Sequence, residues 1–133
     1  SHFINDAGGS LCELEDQALY KLLSEKSLIV YIQTNTENER ILIERAKTHP
    51  KPMYYNSHFF EKSINTYLAE NSLDYAAQVS PDDFVSWVFP KLIEDRLKKY
   101  TALANKYGCT IQSDDLHNCR SANDVINLIS SAL

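Results

Sequence analysis

Residues 3–14 read FINDAGGSLCEL, a short apolar run followed by Asn5 and Asp6, two adjacent glycines and the start of a helical pattern. The chain has only three glycines, and two of them are Gly8 and Gly9. A strand that ends in an acid and turns through glycines into a helix brings a carboxylate and backbone N–H groups to the carboxyl edge of a sheet, where open α/β sheets bind ligands. A plain turn between strand and helix uses glycine equally well, so the rest of the chain must decide between these interpretations.

Length and composition limit the class of protein. The 133 residues are enough for one domain at most, and the net charge of −5 excludes the basic footprint of a nucleic-acid-binding protein. No apolar run approaches the roughly 20 residues that span a bilayer. Ser1 and His2 are interpreted as a cloning remnant, and the abrupt start within an apolar run predicts that residues preceding Phe3 are missing.

The cysteine content favours a reducing compartment. Three cysteines form an odd set without the spacing of a disulfide framework, which is typical of cytoplasmic proteins. Cys109, His117 and Cys119 suggest a zinc site only weakly, because Cys109 falls in a strand-like run and no second pair completes four ligands. We therefore predict no zinc site.

The order of apolar patterns predicts alternating strands and helices. After the first short strand, a helix is predicted to run from Ser10 to about Glu25, and the continuous apolar run at residues 27–33 is typical of a strand buried on both faces. Thr36 and Glu39 form a predicted capping box that begins the next helix. A His-Pro break at 49–52 is predicted to end that helix, and three helices follow at about 59–68, 80–90 and 91–107. Gly108 is the predicted C-cap of the third. A strand at 109–113 and a last helix capped by Ser121 and Asp124 complete the predicted order.

This order predicts an α/β fold, with a three-layer parallel sheet, flanking helices and a helical insert at about residues 57–90. Residues 3–133 would form a single domain, or a fragment of one. The aromatic group in and after the insert is interpreted as core, with the wall of a substrate site as the alternative. Its members are Phe59, Phe60, Tyr67, Trp87 and Phe89.

The predicted strand end at Asp6 is the first candidate site. A carboxylate there can hold Mg²⁺ or accept a proton, although a helix-capping role is the plain alternative. Gly8 and Gly9 would let the backbone approach a ligand, and Ser10 would cap the following helix or bind that ligand. Glu13 is a weaker second acid, interpreted as structural.

Three cations complete the candidate set. Arg45 and Lys51 flank the His-Pro break, and two cations on a short segment can close over phosphates and stabilise charge during transfer. The alternative for Arg45 is a solvated charge favoured by the helix dipole. Arg96 lies among inward-leaning positions of the longest helix, so it requires an acidic partner from the protein or a ligand.

Together these features resemble the C-terminal half of the shikimate-kinase-like P-loop kinases. The features that carry the resemblance are the Gly8-Gly9 pair, the apolar strand LIVYI at 28–32, Arg45, Lys51-Pro52, Asp95-Arg96, Tyr100 and Ala104. The resemblance implies a partial P-loop NTPase fold that uses ATP and Mg²⁺. It also implies that Gly8 and Gly9 border the acceptor, that Arg45 and Lys51 belong to a lid over ATP, and that Arg96 binds the acceptor.

No GxxxxGK[ST] phosphate loop occurs in the sequence, because glycine is found only at positions 8, 9 and 108. The chain alone is therefore expected not to turn over ATP. The intact protein would be a cytoplasmic kinase that transfers the γ-phosphoryl of ATP to a small hydroxylated or anionic acceptor. A homo-oligomer formed through an unpaired sheet edge is also expected, without nucleic-acid or membrane partners.

Two other functions fit the sequence. One is a P-loop ATPase-fold protein without small-molecule kinase activity, and the other is a non-catalytic α/β interaction module. In either case the helical insert would bind a protein partner.

Overall fold

The apolar run at residues 27–33 forms strand β1 (Ile29–Gln33), which pairs in parallel with β2 (Gly108–Gln112). The register places Ile29 beside Gly108 at one end and Gln33 beside Gln112 at the other. The computed structural model describes residues 3–51 and 53–133, with the backbone alone at 8–10. Ser1 and His2, interpreted as a cloning remnant, lie outside the described residues.

Helices make up most of the described chain. A 3₁₀ helix at Gly8–Glu13 precedes the first α-helix, and a second, short 3₁₀ helix lies at Ala76–Gln78. The α-helices are α1 (Gln17–Lys26), α2 (Thr36–Thr48), α3 (Ser57–Glu70), α4 (Pro81–Tyr107), α5 (Ser113–Asn118) and α6 (Ala122–Ala132).

The prediction of a three-layer parallel sheet is wrong. Within the described residues the sheet has two strands, and the surrounding structure is mainly helical. Residues 3–7 have no regular structure, and the Phe3 side chain is 89% exposed. Only two apolar residues precede Asn5 and Asp6, which is too little apolar surface to hold a strand against a sheet. The prediction of a partial P-loop NTPase fold is therefore also wrong.

Helix α4 spans two segments that were predicted as separate helices, at about residues 80–90 and 91–107. The helix does not end at Pro90, and Val88 and Leu92 on either side of the proline are fully buried. Packing of these side chains offsets the roughly 3 kcal/mol that an interior proline costs. Gly108, predicted as a helix C-cap, directly follows the last residue of α4 and is also the first residue of β2.

The chain divides into two compact units. The helical unit comprises Leu42–Arg96 and the segment that ends at Leu14, whereas the α/β unit comprises Glu15–Ile41 and Leu97–Leu133. The core of the helical unit is formed by Tyr67, Phe84 and Val88, and the rings of Tyr67 and Phe84 meet edge to face at 5.4 Å. Phe59 and Trp87 pack against this core, which confirms the core interpretation for these aromatic residues.

Side-chain caps begin several of the helices. Asp16 caps α1 and Asn56 caps α3, each accepting a hydrogen bond from backbone N–H groups of the first turn. The predicted capping box of Thr36 and Glu39 is wrong, because the side chain of Asn35 accepts from the N–H of Asn38 at 2.8 Å. The box of Ser121 and Asp124 is confirmed at the start of α6.

The capping carboxylate of Asp124 gives the first testable prediction. Hydrogen bonds from the backbone N–H of Arg120, and from the side chain and backbone N–H of Ser121, lower the pKa of Asp124 below its ordinary value of 3.8. Because the folded pKa is depressed, this contribution to stability is present above the unfolded pKa and is lost as pH falls through the folded pKa. An NMR titration of the Asp124 carboxyl carbon should give a midpoint below 3.8.

The matched variant for this titration is Asp124→Asn, which keeps a side-chain oxygen but removes the titrating group. It should abolish this part of the acid dependence of α6 while the helix remains folded at neutral pH. A midpoint at or above the ordinary value in the wild-type protein would contradict the prediction.

No helix in the described part of the chain has the length and apolar character needed to cross a membrane.

Candidate functional site

The central feature of the helical unit is an ion pair between Arg96 on α4 and Glu13 at the end of the first 3₁₀ helix. Arg96 Nε donates to Glu13 Oε1 at 2.7 Å. The Arg96 side chain is 11% exposed, and that of Glu13 is completely buried. Arg96 was predicted to require an acidic partner, and the structure supplies one from the protein itself.

A second contact fixes the orientation of the guanidinium. Arg96 Nη2 donates to the main-chain carbonyl oxygen of Tyr54 at 2.9 Å. A guanidinium carries five N–H donors, and these two bonds are the hydrogen bonds that Arg96 makes within the described part of the chain. A rigidly held guanidinium with N–H groups to spare can take a carboxylate or phosphate in bidentate geometry.

Tyr55 follows directly and lies close enough for the Arg96 charge to act on it. Burial raises the pKa of Tyr55 above 10.0, and the positive charge of Arg96 opposes this rise. Its hydroxyl is buried and has no hydrogen-bond partner among the described residues. The ring lies 6.3 Å from Phe59 in a stacked arrangement, so the aromatic core of the unit reaches the ion pair.

The two predicted lid cations are both exposed. Arg45 lies in the last turn of α2, and Lys51 follows that helix outside regular structure. Within the described residues neither side chain makes an ion pair, whereas Lys47 of the same helix binds Glu44 at 2.8 Å. An unpaired cation at a helix C-terminus is favoured by the helix dipole and remains available to an external anion.

The predicted acceptor segment does not follow a strand. Asp6 is exposed in the irregular segment, and the backbone of Gly8, Gly9 and Ser10 forms the first half of the 3₁₀ helix. The hydroxyl of Ser10 lies outside the described part. These four residues therefore do not lie at the carboxyl edge of a sheet, which was the reason for proposing them as ligand-binding residues.

The seven predicted site residues nevertheless share one unit. Asp6, Gly8, Gly9 and Ser10 belong to the helical unit, as do the three cations Arg45, Lys51 and Arg96. Sequence reasoning placed Asp6 and the glycine segment at the edge of a parallel sheet, whereas the two strands of the observed sheet belong to the α/β unit.

Metal binding was predicted at Asp6. Among the described residues no group of three or more His, Cys, Asp or Glu side chains is arranged to hold a metal ion. Mg²⁺ commonly binds through only one or two carboxylates and takes its other ligands from substrate phosphates and water. Asp6 therefore fits Mg²⁺ only if ATP phosphates bring the remaining ligands.

Sequence reasoning missed a polar cluster at the carboxyl ends of β1 and β2. Gln112 Nε2 donates to Gln33 Oε1 at 3.0 Å, and Asn35 Nδ2 donates to Asp114 Oδ2 at 2.9 Å. In the sequence, this cluster could have been found from the polar residues at the ends of the two apolar strand-like runs. These side chains already satisfy one another, so the cluster ties the strand ends together.

No protein-family model, curated protein or solved structure matches this chain.

Proposed function

We propose that this chain provides the acceptor-binding and lid residues of an ATP-dependent, kinase-like protein. The intact protein would transfer the γ-phosphoryl of ATP to a small hydroxylated or anionic acceptor. The observation that supports this function best is the fixed guanidinium of Arg96, held by a fully buried carboxylate with N–H groups to spare. A ligand that carries a carboxylate is the natural partner for such a group.

In this proposal, Arg96 binds the acceptor. Glu13 and the Tyr54 carbonyl hold the guanidinium in one orientation before a ligand arrives, so little side-chain entropy is lost on binding. Positioning of this kind supplies much of the catalysis in phosphoryl transfer, since the protein performs little covalent chemistry.

In this proposal, Arg45 and Lys51 belong to the lid over ATP. Both are exposed cations in a chain with more acids than bases. During transfer the bond between the γ-phosphorus and the bridging oxygen of ADP breaks, while a bond to the acceptor oxygen forms. The two cations would stabilise the charge on the transferring group, and the acceptor proton would pass to Asp6.

Mg²⁺, when bound with ATP, would neutralise phosphate charge. The 133 residues contain no phosphate loop, so this proposal places that loop in polypeptide outside them. We also propose a cytoplasmic location, to which the three free thiols lend support. The proposed partners are a small-molecule acceptor and further copies of the chain, with no nucleic acid.

The proposal predicts different behaviour for the chain and for the product of its complete reading frame. The chain should neither turn over ATP nor bind MgATP at micromolar affinity in a calorimetric titration. The complete frame should encode GxxxxGK[ST], and its product should release ADP when supplied with MgATP and a panel of small hydroxycarboxylic acids. A complete frame without that loop would contradict the phosphotransferase assignment.

Matched variants of the complete product test the lid. Arg45→Ala combined with Lys51→Ala should lower kcat by roughly a hundredfold or more, because charge stabilisation at the transferring group is lost. Lys21→Ala combined with Lys26→Ala removes two other exposed lysines, on α1, and should leave kcat within about twofold of the wild type. If the two double variants lowered kcat equally, the loss would reflect the general removal of positive charge, and the lid role of Arg45 and Lys51 would be ruled out.

A protein-binding role for the helical insert is the second candidate function. Its aromatic residues Tyr67 and Phe84 are buried, whereas Phe60, which was interpreted as core, and Tyr75 are exposed on the helical unit. Exposed aromatic side chains are enriched at protein interfaces. If ADP release is absent while Phe60→Ala abolishes binding to a partner identified by crosslinking, this function replaces the kinase assignment.

A further inference from the structure

Burial falls steeply from β2 to β1 on one face of the sheet. Ile32 of β1 lies beside Ile111 of β2 in the register, and neighbouring side chains at paired positions point to the same face. Ile111 is only 4% exposed, whereas Ile32 is 50% exposed. Helices α5 and α6 pack against β2. The apolar face therefore continues onto β1, where half of the Ile32 side chain remains open.

Within the described part of the chain β1 also pairs with no strand other than β2, so it lies at the edge of the sheet. Its row of N–H and C=O groups is a template for another strand. A sheet of two strands is marginal by itself and requires either more strands or packing against helices, which here is provided for β2 by α5 and α6.

The sequence of this edge carries none of the usual protection against pairing. Residues 27–36 read SLIVYIQTNT, without a charged residue, a proline or a glycine. Exposed edges in natural proteins normally contain lysine, proline or a bulge that blocks a second strand. The opposite face of β1 is already occupied at Tyr31, whose ring lies 5.2 Å from that of Tyr100. The exposed part of β1 is therefore the apolar face at Ile32, on a strand that no second strand pairs with in the described part of the chain apart from β2.

We propose that β1 of a second copy of this chain pairs with this edge in antiparallel orientation. A two-fold axis perpendicular to the sheet makes identical strands antiparallel and keeps equivalent faces on the same side. The result is a four-stranded sheet in the order β2, β1, β1 of the second copy and β2 of the second copy. The inference specifies the self-association stated under the proposed function and is independent of phosphoryl transfer.

Self-complementarity is the reason for choosing a second copy as the occupant. A symmetric antiparallel pair brings each residue near the two-fold axis close to its own copy, so a charge there would meet a like charge. Because residues 27–36 contain no charge, this pairing has no electrostatic penalty. The pairing would also cover the exposed part of Ile32.

Sedimentation velocity on the 133-residue chain and two variants tests the interface. Ile32→Lys places two like charges at the paired strands, so it should convert the dimer to a monomer while the protein stays folded. Ile126→Lys introduces the same change at a side chain of α6 with similar exposure, 59%, and should leave the dimer intact. Circular dichroism shows whether each variant is folded.

Hydrogen exchange on the wild-type chain provides a test that needs no variant. Amides of residues 29–33 that point to the outer edge should exchange more slowly as concentration rises, while those of α3 should not change. A wild-type monomer at high concentration, a folded Ile32→Lys dimer, or concentration-independent exchange would each overturn the proposal. None of these results would affect ADP release by the complete product, so the two proposals fail separately.

Discussion

Replacing Gly108 with alanine should disrupt the pairing of β1 and β2 and destabilise the protein by about 3 kcal/mol or more. A Cβ atom at this position would lie 1.9 Å from the carbonyl oxygen of Ile29 and 2.7 Å from its carbonyl carbon. Both atoms belong to the backbone of the neighbouring strand, so no side-chain rotation can relieve the overlap. The strands would have to separate at the rung that joins Ile29 to Gly108.

Urea denaturation followed by far-UV circular dichroism measures this effect, at one protein concentration for all variants because self-association shifts apparent stability. Thr110→Ala is the matched control, since it changes a partly buried residue of the same strand without adding an atom. It should cost less than about 1 kcal/mol. If Gly108→Ala is no more destabilising than Thr110→Ala, the close approach of the two strands is wrong.

Gly108 also illustrates what local sequence can predict. A glycine after a long helical pattern is typical of a helix C-cap, and Gly108 directly follows the end of α4. The local pattern does not reveal that this glycine is also required by a strand that lies far away in the sequence. The strand at 29–33 was predicted correctly because a continuous run of β-branched and aromatic residues identifies it without reference to any neighbour.

The number of strands could not be obtained in the same way. The predicted three-layer sheet relied on counting residues 3–5 as a strand, and such a short run becomes a strand only if another strand pairs with it. In the structure this segment is irregular, and Phe3 is exposed. Helical periodicity was more reliable, because α3 and the final helix each cover an apolar pattern of several turns.

The candidate site was predictable in its chemistry but not in its contacts. An arginine at an inward-leaning helix position predicted an acidic partner, yet Glu13 was interpreted as a minor structural acid. Arg96 and Glu13 are 83 positions apart, and no local pattern relates residues at that distance. The tertiary fold decides which acid is buried with the arginine.

Removing Glu13 should therefore have the second large effect. Glu13→Ala leaves the Arg96 guanidinium largely buried without its counter-ion, and breaking a buried pair in this way typically costs about 3–5 kcal/mol. Glu61→Ala removes an exposed acid from α3 and should change the free energy of unfolding by no more than about 0.5 kcal/mol. Urea denaturation of both variants measures the contrast directly.

A double-mutant cycle separates the ion pair from the packing around it. Arg96→Met alone leaves Glu13 buried and unpaired, so it should be strongly destabilising, whereas Glu13→Leu combined with Arg96→Met replaces both charges with apolar side chains of similar size. Such replacements are often neutral or stabilising, so the double variant should be more stable than either single variant. Additive losses would mean that the two charges do not depend on each other in the folded protein.

The same double variant distinguishes stability from function at this position. If the ion pair served only to stabilise the fold, a stable apolar replacement would leave the activity of the complete product unchanged. If Arg96 binds the acceptor, that replacement should retain the fold while kcat/KM for the acceptor, measured on the complete product, falls by roughly a hundredfold, as expected from the loss of a charge-assisted hydrogen-bonding group. Folded protein with unchanged kcat/KM would remove Arg96 from the acceptor site.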